Sequence, residues 1–183
     1  MSVRPVRIYG DPVLRQKALP VTAVDETVRQ LIADMRETMK AYHGVGLAAN
    51  QVGVAQRVIL VDVPDEDGGR SQFALINPVI TSRTGSEVGE EGCLSIPGIF
   101  EDVTRAETIT LQALDDQGRK LNLSAEGYLA RAVQHEVDHL DGVLFVDRLS
   151  LLKRQFLRRS LDALARGELP DGYTPPRMSG GAS

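Results

Sequence analysis

The segment QHEVDHLDG, residues 134–142, holds His135 and His139 four positions apart, two of the chain's three histidines. On a helix that spacing sets both imidazoles on one face, one turn apart, where they can chelate a single metal ion. Glu136 lies about 100° round an ideal helix from His135. From there it can reach a water held by the ion without ligating the ion itself, the His-Glu-x-x-His device of metal hydrolases. The plain alternative is a solvated helix face with incidental histidines. A third ligand decides the class. No histidine follows His139, and the only later glutamate is Glu168, near the C-terminus. Upstream, EEGCLSIPG (90–98) presents Cys93, the single cysteine, in a glycine-flanked turn-like stretch. One thiolate and two imidazoles leave a position open for water, the arrangement of a catalytic site. Two rivals stay open: a closed structural site completed by His43, which leaves Glu136 without a task, and a protease-type site completed by a downstream carboxylate.

A third segment, GVGLAANQ (44–51), places two glycines before small residues, so backbone there can approach another group closely. Gln51 ends it with a neutral amide donor. By itself it reads equally well as a helix-to-strand turn with a surface glutamine. Glu91 and Asp138 are candidate carboxylates to orient the ligands, with Arg105 available to neutralise one of them.

These side chains need a scaffold. Asp25 opens a helical pattern in which Val28, Leu31, Ile32, Met35 and Met39 share a face, ending near His43 where glycines follow. RVILVDV (57–63), FALINP (73–78) and ETITLQAL (107–114) read as strands. DDQG (115–118) is a turn, and RKLNL (119–123) returns as a hairpin partner. Ser124 is placed to cap a helix from about Ala125 to Gly142 that carries the histidines. A last helix after Ser150 offers Leu152, Phe156, Leu157, Leu161 and Leu164 as an apolar stripe. Residues 1–22, with Pro5, Gly10, Pro12 and Pro20, read as an extended arm. Strands between helices without regular alternation, with a helix at each end, make the fold α+β. Residues 1–167 form one catalytic metallohydrolase domain, and 168–183 a flexible Gly/Pro-rich tail.

Composition agrees with a single soluble domain of 183 residues, 42% hydrophobic and 25% charged. A net charge of -4 gives no footing for DNA binding. One cysteine excludes an internal disulfide. Neither a signal peptide nor an apolar run of membrane-spanning length is present, so the expected compartment is the cytoplasm, with no membrane partner.

Taken in order, GVGLAANQ, EEGCLS and QHEVDH resemble the three signature motifs of the peptide deformylase family, and the similarity runs over roughly residues 1 to 165. The resemblance implies small antiparallel sheets packed around the central helix that carries the His-Glu-x-x-His motif, and removal of the formyl group from N-formylmethionyl peptides as they are made. It implies Cys93, His135 and His139 as ligands of one divalent metal ion, Fe(II) in the cell, with Zn(II), Ni(II) or Co(II) able to stand in after purification. Glu136 matches the general base and acid, and Gln51 with the Leu94 backbone N–H matches the oxyanion donors. Gly44, Val45, Gly46, Gly92, Tyr128, Arg131 and Ala132 are the expected substrate-facing positions. Tyr128 and Arg131 stand where the family is mostly aliphatic. Arg131, a turn before His135, is expected either to pair with Glu101 or Asp102 or to reach the cleft mouth and bind the peptide beyond methionine. Lys153, Arg154, Arg158 and Arg159 concentrate positive charge on the last helix, suiting contact with the ribosome, against the bland reading of a solvated face. A monomer is expected.

Overall fold

The run Val58–Pro64, strand β2, is apolar on both alternating faces because both are covered. Ile59, Val61 and Val63 turn one way; Val58 and Leu60 turn the other. In the computed structural model, which describes residues 1–178, β2 lies inside a five-stranded antiparallel sheet. The sheet's order is β1 (Gly46–Ala48), β2, β3 (Arg70–Thr84), β6 (Thr108–Leu114) and β7 (Lys120–Glu126). Helix α1 (Glu26–Ala41) covers one face with Leu31, Ile32, Met35 and Met39. Helix α2 (Gly127–Leu140) covers the other with Ala130, Val133, Val137 and Leu140. A separate two-stranded ribbon, β4 (Glu87–Cys93) with β5 (Ile96–Arg105), stands beside α2. Helix α3 (Leu151–Ala165) joins a third apolar cluster with Ile96, Ile99, Val103 and Phe145. The α+β architecture is as the sequence implies.

Local signals set several boundaries. Asp25 caps α1, its carboxylate accepting from the Val28 N–H at 3.0 Å. The hairpin over 115–118 joins β6 to β7 in the expected pairing. The N-terminal arm is tied to α1: Asp34 accepts from the Ser2 N–H and from the Arg4 guanidinium, and Thr38 accepts from the Arg4 N–H.

Other boundaries differ from the sequence reading. Ser124 does not cap α2. The β6–β7 ladder runs on through Thr108↔Glu126, so Ser124 is a strand residue and Glu126 takes the cap position without a side-chain bond. Gly127, at φ +56°, makes the turn into the helix. Strand β3 does not stop at Pro78. A register shift between Ile76 and Val79 lets the proline, which has no N–H to give the ladder, sit in a bulge. The ribbon β4–β5 escaped the periodicity reading because β4 is glutamate- and glycine-rich. The α3 stripe is used only in part: Leu161 and Leu164 are buried and Leu157 partly so, but Leu152 and Phe156 are 61% and 78% exposed. Residues 168–178 carry no helix or strand, and Pro170 packs against Gly98; the remainder of the expected tail lies outside the described residues.

Candidate metal centre and substrate cleft

Helix α2 is buried from Ala130 to Leu140, polar residues included. That is unusual for a helix carrying an arginine, two carboxylates and two histidines, and each polar group must find a partner or a use. His135 and His139 stand as their spacing requires, ring centroids 5.0 Å apart. Cys93 comes from the end of β4, where a register shift between Glu91 and Cys93 turns the side chain off the ribbon toward α2. One ligand-capable atom from each of Cys93, His135 and His139 lies within 4.8 Å of the other two. The Cys93 Sγ stands 3.3 Å from the His139 Nε2. Two such atoms sharing a tetrahedral ion at normal bond lengths are about 3.3–3.6 Å apart, so the donor set fits one metal ion.

Glu91 organises this centre. Its Oε2 meets the His135 Nδ1 at 2.9 Å, which leaves the other ring nitrogen for the Cys93 side. Arg105 forks onto Glu91 at 2.8 and 2.9 Å and reaches Asp138 at 2.5 Å. Arg148 closes the chain on Asp138. Arg105 therefore binds both candidate carboxylates.

Arg131 also ends on Glu91, at 3.0 Å, and donates to the carbonyls of Val103, Glu87 and Gly89. This corrects the expected pairing with Glu101 or Asp102; Glu101 is taken by Lys153. The reason is the ribbon. It brings β4 across α2, and Gly89 has no side chain to exclude the guanidinium, since a Cβ there would lie 2.9 Å from it.

The charges explain the proton affinities. Burial disfavours a charged His135, but Cys93, Glu91 and Glu136 around it win, and its pKa is raised well above the ordinary value. Burial and then the neighbouring His135 push His139 well below. Burial works to raise Glu91, yet Arg105 and His135 hold it well below the usual carboxylate range. Glu136 is pushed up to about 7, chiefly by burial. The groups that would hold a proton on His135 are those that would hold a cation. Glu136 Oε2 is buried without a hydrogen-bond partner among the described residues, as a group awaiting a ligand would be; His139 Nδ1 is unpartnered too, but it is not the ring nitrogen that faces Cys93.

A cleft of about 750 Å³ opens over the centre. Gly44, Val45, Gly46, Gln51, Gly92, Leu94, Tyr128, Arg131 and Ala132 all line it, with Cys93, His135 and Glu136. His139 lies behind them. Gly46 must be glycine, because a Cβ there would fall 2.3 Å from the Glu136 Oε1. Gln51 is clamped: its carbonyl accepts from the Ala48 N–H, and its amide donates to Ser95 Oγ at 3.1 Å and lies 3.5 Å from Cys93 Sγ. His43 lines the cleft but is outside the ligand cluster, and Glu168 pairs with Arg166. Neither rival ligand set is therefore assembled among the described residues. Sequence reasoning missed Tyr42, Pro97, Gly98, Phe100 and Tyr173–Pro176 on the cleft walls. Pro97 and Gly98 end the segment that presents Cys93; the others carry no motif and meet it only through the fold.

Fold and site define a metal-dependent hydrolase of the His-Glu-x-x-His type. The family model described as polypeptide deformylase matches residues 3–155. A peptide deformylase of Alkalilimnicola ehrlichii is 54% identical over 166 residues, covering 91% of this chain and 93% of its own. The crystal structure of peptide deformylase from Thermus thermophilus superposes with a TM-score of 0.83 at 44% identity, over 91% of this chain and 100% of that one. The Met-Ala-Ser-bound class I type b enzyme of Acinetobacter baumannii gives 0.76 at 38% identity, over 80% and 98%. The chain belongs to the polypeptide deformylase family.

Proposed function

We propose that the chain removes the formyl group from N-formylmethionyl peptides, releasing formate, at the centre formed by Cys93, His135 and His139. The convergence of these three side chains beside a buried carboxylate carries the reading. When bound, a divalent ion supplies a nucleophile at neutral pH by lowering the pKa of a coordinated water. The chain's own groups do the rest. Glu136, whose proton affinity lies near neutrality, accepts the proton lost by the attacking water and returns it to the leaving amine. The Gln51 amide and the Leu94 N–H donate to the oxyanion, about 2.7–4 kcal/mol per donor in comparable sites. Because Gln51 is held at both ends, its donor is in place before the reaction starts.

Strand β1 ends the sheet beside the cleft, where an extended peptide can add to the free edge. Gly44, Val45, Gly46, Gly92, Tyr128 and Ala132 line the path of such a peptide. The relative with Met-Ala-Ser bound supports a methionyl product. We assign the ion as Fe(II), replaceable by Zn(II), Ni(II) or Co(II), since a thiolate and imidazoles suit all four. A cytoplasmic monomer working close to the ribosome, through α3, fits substrates that are nascent chains. No helix among the described residues is long and apolar enough to cross a membrane. The test is anaerobically purified protein with formyl-Met-Ala-Ser against acetyl-Met-Ala-Ser. Formate from the first and no cleavage of the second is expected; equal rates or none would sink the assignment.

A further inference from the structure

We propose that residues Pro170–Pro176 form the outer wall of the substrate cleft and that Tyr173 contacts the peptide beyond its methionine. This deepens the deformylase reading and rests on it. The segment begins from a fixed point. The end of α3 packs tightly on the N-terminal arm, since a Cβ on Gly10 would fall 2.8 Å from the Ala165 Cα. Gly167, at φ +82°, reverses the chain, and the Glu168 N–H returns to the Ala163 carbonyl at 3.0 Å. Pro170 then rests on Gly98 in β5, so closely that a Cβ there would stand 3.0 Å from its ring. The Tyr173 N–H closes a turn on the Pro170 carbonyl at 3.0 Å.

From this turn Tyr173, Thr174, Pro175 and Pro176 face the cleft, as does Tyr42 at the end of α1. Burial, and then Tyr42, raise the Tyr173 phenol above its ordinary pKa, consistent with a side chain half withdrawn from water. The segment thus reaches from the β5 wall toward the α1 wall. It hydrogen-bonds to none of the metal-site residues among those described, which places it with the peptide and not with the formyl group. With the segment in place the cleft still measures about 750 Å³, within the range of small-ligand sites, so the segment walls the cleft and does not plug it. Two consecutive prolines stiffen it, so ordering it against a peptide costs little entropy. A tyrosine supplies broad apolar contact with a polar tip.

The chain contains no tryptophan. Tyr173→Trp therefore installs a single reporter. Titration with Met-Ala-Ser should shift its emission, whether or not the enzyme turns over. Tyr173→Ala should raise KM for formyl-Met-Ala-Ser about 3- to 10-fold, leave formyl-Met amide unaffected, and keep kcat within twofold, the pattern of lost uniform binding. An unchanged KM together with silent emission would overturn the proposal. A fall in KM would also overturn it, marking the segment as a plug. Equal effects on both substrates with a lowered Tm would do the same, by showing a structural role. Failure of the parent enzyme to deformylate would show separately, as absent formate from formyl-Met-Ala-Ser.

Discussion

Glu136 sits one position from His135 and one Cβ's width from the Gly46 backbone, and its Oε2 has no hydrogen-bond partner among the described residues. Glu136→Gln keeps this shape and removes the proposed base. We expect metal content to stay at the parental level while kcat falls at least about 100-fold, as for loss of a general base. Parallel loss of metal, measured by elemental analysis, would make Glu136 a ligand. Arg131 is a different case. Its guanidinium holds Glu91 and the Val103 carbonyl in buried bonds and the Glu87 and Gly89 carbonyls in part-buried ones. Arg131→Leu should cost about 3 kcal/mol, the low end for breaking a buried pair, because Arg105 still neutralises Glu91. The melting temperature should drop, with KM for formyl tripeptide and for formyl-Met amide changing alike. An unaltered Tm with only the tripeptide KM raised would return Arg131 to peptide recognition.

Elements are held by a few polar clamps whose strength depends on pH. The N-terminal arm is fastened to α1 through Asp34. Burial works to raise that carboxyl, but Arg4, the Ser2 N–H and Gln30 outweigh it, and its pKa lies below the ordinary 3.8. A depressed folded-state value means the clamp contributes fully above about pH 4 and is lost as pH falls through the folded pKa. Thermal melts between pH 6 and pH 3 should show Asp34→Asn less stable than the parent at the upper end, the difference shrinking toward the lower. A gap constant across that range would mean the arm is not held by this charge. The ribbon shows the same economy at the metal centre: its bulge presents Cys93, its Glu91 orients His135, and Arg105 at its far end neutralises the carboxylates.

On the surface of the molecule, α3 carries basic and exposed apolar side chains together. Lys153 is engaged by Glu101 and Arg158 leans on Asp162, while Arg154 and Arg159 are exposed alongside Leu152 and Phe156. Cationic side chains on an otherwise acidic protein suit a phosphate-rich partner, and such binding weakens steeply with salt. Co-sedimentation with ribosomes should be detectable at low salt, fade by several-fold toward physiological salt, and be lost on combined charge reversal at Arg158 and Arg159. Absence of binding at low salt would reduce the face to a solvated one.

The sequence by itself determined what depends on local spacing and chemical identity. His135 and His139 four apart, Glu136 beside them, the lone Cys93 and the glycines before Gln51 were legible because helical geometry and ligand chemistry act over a few residues. The apolar periodicity of α1 and the hairpin at 115–118 were legible for the same reason. Tertiary structure alone decided which of the possible partners each polar group took. Strand β4 has no apolar pattern, yet the placement of the β4–β5 ribbon gives Arg131 to Glu91 and Gln51 to Ser95. The β6–β7 ladder overrode the capping signal at Ser124, since continued strand pairing there outweighs a single side-chain cap. The Pro170–Pro176 wall was equally invisible, because its contact with Gly98 joins residues over seventy positions apart, and nothing in either segment names the other.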